Sequence, residues 1–202
     1  MKLRVRFLPQ AFAIGAMLAV AGCHVHVDKG TSGQDKSVRI DTPLGGLHVR
    51  SGQTTAADLG MPLYPGATPA TDHGGDQSAN VNMGLGDFQL RVQVVQYQTP
   101  DAQEKVLAFY KKAMGQFGDV LECKGRRAVG SPTVTSEGLK CGDAGDHNVR
   151  VNGVPDKRSL TLLAGSKHHQ HIVAFRKRDG GTSFSLIELQ LPESVQKGFR
   201  TD

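Results

Sequence analysis

The residues best equipped for chemistry are the histidines of His168-His169-Gln170-His171. On an extended strand, side chains two apart share a face. His169 and His171 would therefore present two imidazoles to one side, a spacing that suits a shared metal ion. A closed site needs four ligands, and the sequence names no partner for the pair. The segment reads as the exposed face of an antiparallel strand, and no histidine is expected to bind a metal. His24 and His26 in Cys23-His24-Val25-His26-Val27-Asp28 meet a similar objection, because a flexible segment holds no preformed site. Asp143-Ala144-Gly145-Asp146-His147 lacks the alternating oxygen ligands of a calcium loop and reads as a turn. Gly84-Leu85-Gly86 has no third glycine and leads into a strand, which removes the dinucleotide reading. No serine stands in a Gly-x-Ser-x-Gly elbow, and a general base would lack a recognisable nucleophile. No catalytic residue is assigned, no cofactor is implied, and enzymatic activity is not expected.

Cysteine chemistry is more specific. Residues 1–8 carry Lys2, Arg4 and Arg6, and Ala11 to Ala21 is an apolar run without a charge. A positive segment followed by a short apolar one is the pattern of an export signal. A spanning helix needs about 20 apolar residues, and this run stops at Gly22-Cys23. Val20-Ala21-Gly22-Cys23 resembles the bacterial lipobox, in which small residues leave a cysteine thiol open to lipid transfer. The resemblance implies thioether lipidation of Cys23, cleavage between Gly22 and Cys23, and acylation of the new amine. Two or three acyl chains, at ~0.8 kcal/mol per buried methylene, anchor stably where one does not. In such lipoproteins an aspartate after the cysteine favours the inner membrane. His24 stands there, so the resemblance favours the periplasmic face of the outer membrane.

With Cys23 assigned to lipid, Cys123 and Cys141 remain. Two cysteines in an exported chain read as one disulfide. The loop between them is rich in Gly, Arg, Ser, Pro and Thr, and closing it would contribute about 3 kcal/mol in the chain-entropy view.

Composition bounds the rest. The 202 residues suit one domain with appendages. Tryptophan is absent, and 25 glycines favour turns and short strands over long helices. The net charge of +5 owes three units to the export segment; without it, 21 basic face 19 acidic residues, a net +2. Lys124-Gly125-Arg126-Arg127 and Arg176-Lys177-Arg178 are the densest basic stretches. They form no stripe with interleaved aromatics, so nucleic acid is not an expected partner.

The elements that must position these residues follow from turns and periodicity. Residues 1–22 are the export signal, 23–36 a flexible lipidated tether, 37–54 a hairpin and linker, 55–192 the main domain, and 193–202 a disordered tail. Ser37-Val38-Arg39-Ile40-Asp41 and Leu47-His48-Val49-Arg50 alternate around Pro43-Leu44-Gly45-Gly46, a hairpin pattern. Such a hairpin is marginal alone and needs a body or partner to dock on. Strands are expected at 80–84 and 88–98. Thr99 as N-cap, Pro100, and Val106, Phe109, Tyr110, Met114 and Phe117 at helical spacing predict a helix over 100–117, stopped by Gly118. Further strands are expected at 120–124, 159–164, 169–176 and 182–191, with a tight turn at Asp179-Gly180-Gly181. The expected fold class is α+β, an antiparallel sheet packed against one main helix, with an N-terminal tether and hairpin.

Tyr64-Pro65-Gly66-Ala67, the Thr99-Pro100-Asp101 helix start with Phe109-Tyr110-Lys111-Lys112, and Ile40-Asp41-Thr42-Pro43-Leu44-Gly45-Gly46 resemble an uncharacterised bacterial lipoprotein family of exported α+β domains. The resemblance spans most of residues 37–191 and carries no catalytic or ligand-binding residue. The functional expectation is a membrane-anchored envelope lipoprotein acting as a non-enzymatic binding or interaction module. Its partners would be the lipid bilayer, through acylated Cys23, and an envelope protein. The competing expectation is a small-ligand carrier or enzyme using a pocket between sheet and helix.

Overall fold

The computed structural model describes residues 24–29, 36–70, 78–143 and 160–192. The export segment with Gly22 and Cys23, most of the 143–147 turn, and the tail 193–202 lie outside the described residues.

Among the described residues, eleven strands join one antiparallel sheet. They are β1 (His24–Lys29), β2 (Lys36–Thr42), β3 (Gly45–Ser51), β4 (Thr68–Pro69), β5 (Ser78–Leu85), β6 (Phe88–Thr99), β7 (Leu121–Lys124), β8 (Arg127–Ala128), β9 (Leu160–Gly165), β10 (His169–Arg178) and β11 (Gly181–Gln190). Their spatial order is β1-β2-β3-β5-β6-β11-β10-β9-β7-β8, and β4 pairs with β6. One helix, α1 (Gln103–Ala113), continues as a 3-10 turn over Met114–Phe117.

This corrects the α+β expectation: the described residues form mainly a large β-sheet carrying one short helix. The reason is edge pairing. An unpaired strand edge offers a row of free N–H and C=O groups, and β3 takes up the edge of β5 from Gly45↔Leu85 to Ser51↔Ala79. The hairpin is therefore part of the sheet. Residues 24–29, read from the sequence as tether, extend it by one more strand, from His24↔Asp41 to Lys29↔Lys36.

The helix is also shorter than predicted. Thr99 is the last residue of β6, paired with Thr182, and its hydroxyl accepts the Asp101 N–H at 3.3 Å. That local bond closes a turn instead of capping a helix. Ala102 holds the N-cap position without a side-chain bond.

Alternation along the central strands makes two cores. On one face Val95, Tyr97, Leu162, Ala164, Val173, Phe175, Phe184 and Leu186 pack under Val106, Tyr110 and Met114 of the helical segment and under Ala56, Leu59, Met61 and Tyr64. Tyr64, Phe109, Tyr110 and Phe184 meet edge-on or tilted at centroid distances of 5.0 to 6.4 Å, pairings worth ~0.5–1.5 kcal/mol each beyond burial. The interface between helix and sheet is filled. On the opposite face Val94, Leu163, Ile172, Ala174 and Ile187 pack with Leu121, Cys123 and Leu139. Cys123 and Cys141 are disulfide-bonded, with Cα atoms 5.6 Å apart. The bond holds the 129–143 loop over this second core, where Leu139 is fully buried.

Candidate functional site

The helix-side face is apolar only where the helix covers it. Register defines its rows. Tyr97, Phe184 and Phe175 stand side by side on β6, β11 and β10, followed by Val95, Leu186 and Val173. The next row changes character: Gln93, Glu188 and His171. Beyond it lie Arg91, Gln190 and His169. All share one face because residues directly opposite in an antiparallel pair do so, as do residues two apart on one strand.

His169 and His171 thus occupy one face, as their spacing predicts, with ring centroids 4.7 Å apart. The structure adds the partner that sequence reasoning missed. His169 Nε2 and Glu188 Oε1 lie 2.8 Å apart, and one ligating atom from each of His169, His171 and Glu188 falls within 4.8 Å of the others. Gln190 Nε2 donates to the same Glu188 oxygen at 2.9 Å. Phe117, at the end of the 3-10 turn, stacks on His171 with centroids 3.6 Å apart and planes 7° from parallel. That contact fixes the plane of the imidazole. Phe117 was readable as a core residue from helical spacing, but its pairing with His171 was not.

The row is buried, with Gln93 1%, His171 5% and Glu188 7% exposed. Desolvation, with the neighbouring His169 adding repulsion and Glu188 opposing it, pulls the His171 pKa down to about 4. His171 is neutral at physiological pH. Its Nδ1 is buried with no hydrogen-bond partner among the described residues, as is Gln93 Oε1. Such orphans cost ~1–3 kcal/mol each. The side chain of His169 is about half exposed at 47%, which opens the cluster to solvent on that side.

The β9–β10 turn sets the position of His169. Ser166 N–H donates to the His169 carbonyl at 2.8 Å, and His169 N–H donates to Ser166 Oγ at 3.1 Å. Gly165 makes the turn possible: its φ is +99°, and an added Cβ would stand 2.3 Å from the His169 carbonyl oxygen.

The sequence did hold a signal for Glu188. Phe184-Ser185-Leu186-Ile187-Glu188-Leu189 is a strand buried on both faces, and an acid is rarely buried without a partner. Beside the cluster, Arg39, Asp41, His48, Asn82, Gln89, Arg91 and Gln190, with Met83 and Leu90, line a recess of about 450 Å³. Gln190 borders both.

The other sequence candidates stay apart from this site. His26 faces Asp28 at 3.2 Å on the exposed edge strand β1. His168 sits in the turn before β10, where its carbonyl accepts the Leu191 N–H at 2.7 Å. Gly86 belongs to the β5–β6 turn, and Asp143 Oδ2 accepts the Lys140 N–H at 2.9 Å.

No family model, curated protein or solved structure matches this chain.

Proposed function

We propose that the protein is a membrane-anchored envelope lipoprotein, a non-enzymatic binding or interaction module held to the bilayer by acylated Cys23. The observation that carries this reading is Val20-Ala21-Gly22-Cys23 at the end of a charged and then apolar leader. The Cys123–Cys141 bond supports it, because disulfides persist in oxidising compartments such as the periplasm. Two further features favour interaction over catalysis. The helix–sheet interface, where a carrier or enzyme of this fold would keep its pocket, is packed with aromatic rings. By contrast, Val25, Val27, Met83 and Leu85 are exposed on one face of the N-terminal strands, and exposed apolar patches mark contact surfaces.

Mass spectrometry of protein extracted from membranes tests the anchor. The expected species begins at Cys23 and carries acyl chains, and a Cys23→Ala variant stays unprocessed or loses its anchor. An unmodified N-terminus at any other residue overturns the reading. Crosslinking in intact cells, followed by purification of the lipoprotein, then identifies its envelope partner.

A further inference from the structure

We propose that His169, His171 and Glu188 form a binding site for one divalent transition metal ion of the zinc type. The inference is independent of the lipid anchor. It reverses the expectation from sequence that no histidine here binds a metal, whose premise was the absence of a third ligand. Glu188 supplies it from the neighbouring strand, directly opposite His171.

The geometry suits such an ion. With metal–nitrogen and metal–oxygen bonds of ~2.0–2.2 Å, tetrahedral ligands stand ~3.3 Å apart. Here the His169–Glu188 pair is at 2.8 Å, and all three ligating atoms lie within 4.8 Å. Rotation of the half-exposed His169 side chain opens the 2.8 Å pair and draws in the wider one. Two imidazoles and one carboxylate match ions that accept nitrogen and oxygen, zinc, nickel and copper among them, better than calcium or magnesium, which take oxygen alone. The set is also supported from behind. Gln190 donates to Glu188, and Phe117 stacks on His171, so two of three ligands are oriented before any ion arrives. All three stand on adjacent strands of the sheet, not on loops. The half-exposed side chain of His169 marks where an ion enters, and three protein ligands leave the fourth position to water or to a group from a partner.

The test uses the untagged protein as purified from cells, from whichever fraction holds it and with detergent where that fraction is the membrane, stripped with chelator and titrated with zinc, nickel and copper by calorimetry. Cobalt absorption provides a separate readout of coordination. The expected result is one ion per chain at submicromolar affinity, with the intense visible bands of four-coordinate cobalt. Glu188→Gln and His169→Asn should each weaken binding by at least ~10-fold. A His26→Ala/His48→Ala variant should bind like the native chain. Because His169 is half exposed, its variant keeps the question answerable even if Glu188→Gln fails to fold. Absence of stoichiometric binding, or binding that survives His169→Asn, overturns the proposal.

Discussion

Tyr64 ties the irregular segment before the sheet to the start of the helix. Its hydroxyl donates to Asp101 Oδ2 at 2.8 Å, and Lys105 reaches the other carboxylate oxygen at 3.2 Å. The Tyr64 bond first, then Lys105, holds the Asp101 pKa below its usual range. The same bond pushes Tyr64 upward. A depressed carboxylate stabilises the fold above its unfolded pKa and loses that contribution as pH falls through the folded one. Tyr64→Phe should therefore lower the melting temperature at neutral pH, and the gap to wild type should narrow below about pH 4. Thermal scans of both proteins from pH 7 to pH 2.5 check this; a gap that stays constant across the range would show that Asp101 is not the linked group. Nothing in the sequence pointed to this pair. Tyr64 and Asp101 are 37 positions apart, and each is explained locally by a turn or a helix start.

Among the elements, those with strong alternation were legible and those decided by tertiary pairing were not. Strands β5, β6, β7, β9, β10 and β11 fall within a few residues of expectation, because Leu90, Val92 and Val94 or the apolar run of β11 repeat at the strand period. Val106, Tyr110 and Met114 were readable as the buried stripe of the helix, and all three are fully buried. Its first turn was misplaced because Thr99 looks like a cap in sequence but pairs with Thr182 in the sheet. The stretch from His24 to Lys36 is polar and glycine-containing and reads as tether for want of periodicity across its length, yet residues 24–29 pair with β2. The Cys123–Cys141 link follows from two cysteines left in an exported chain and a core-poor loop between them. What sequence did not show is that its loop inserts Leu139 into a core. Cys123→Ser/Cys141→Ser should cost about 3 kcal/mol of unfolding free energy. Urea titrations with and without reductant measure it, and a change below 1 kcal/mol would mean that packing holds the loop without the bond.

Across the whole molecule, cover is unevenly distributed. Strands β6, β9, β10 and β11 are sandwiched between two cores, whereas β1 and β2 contribute no residue to either. Opening energies track buried apolar contacts. Hydrogen exchange should thus be slowest in β6, β10 and β11 and fastest in β1 and β2, and equal protection throughout would contradict this division. Fold class was the property least visible in sequence, since whether hairpins join one sheet depends on which edges they find, not on their own residues. The candidate site was half visible: the two histidines announced themselves, while Glu188 became their neighbour only through the β10–β11 register.

That first strand begins at His24, one residue past the proposed lipid attachment. A lipoprotein with a long leash explores the space above its membrane; this one would have almost no slack. The anchored edge would sit at the headgroups, and distance from the bilayer would be set by the rank of each strand in the sheet. Nine strand spacings separate β1 from β8, which at ~4.8 Å each is a height of at most ~43 Å. Within that limit, β11 and β10 stand five and six spacings up, between half and two thirds of the height, so a partner reaching His169 would approach from the envelope space and not from the plane of the membrane.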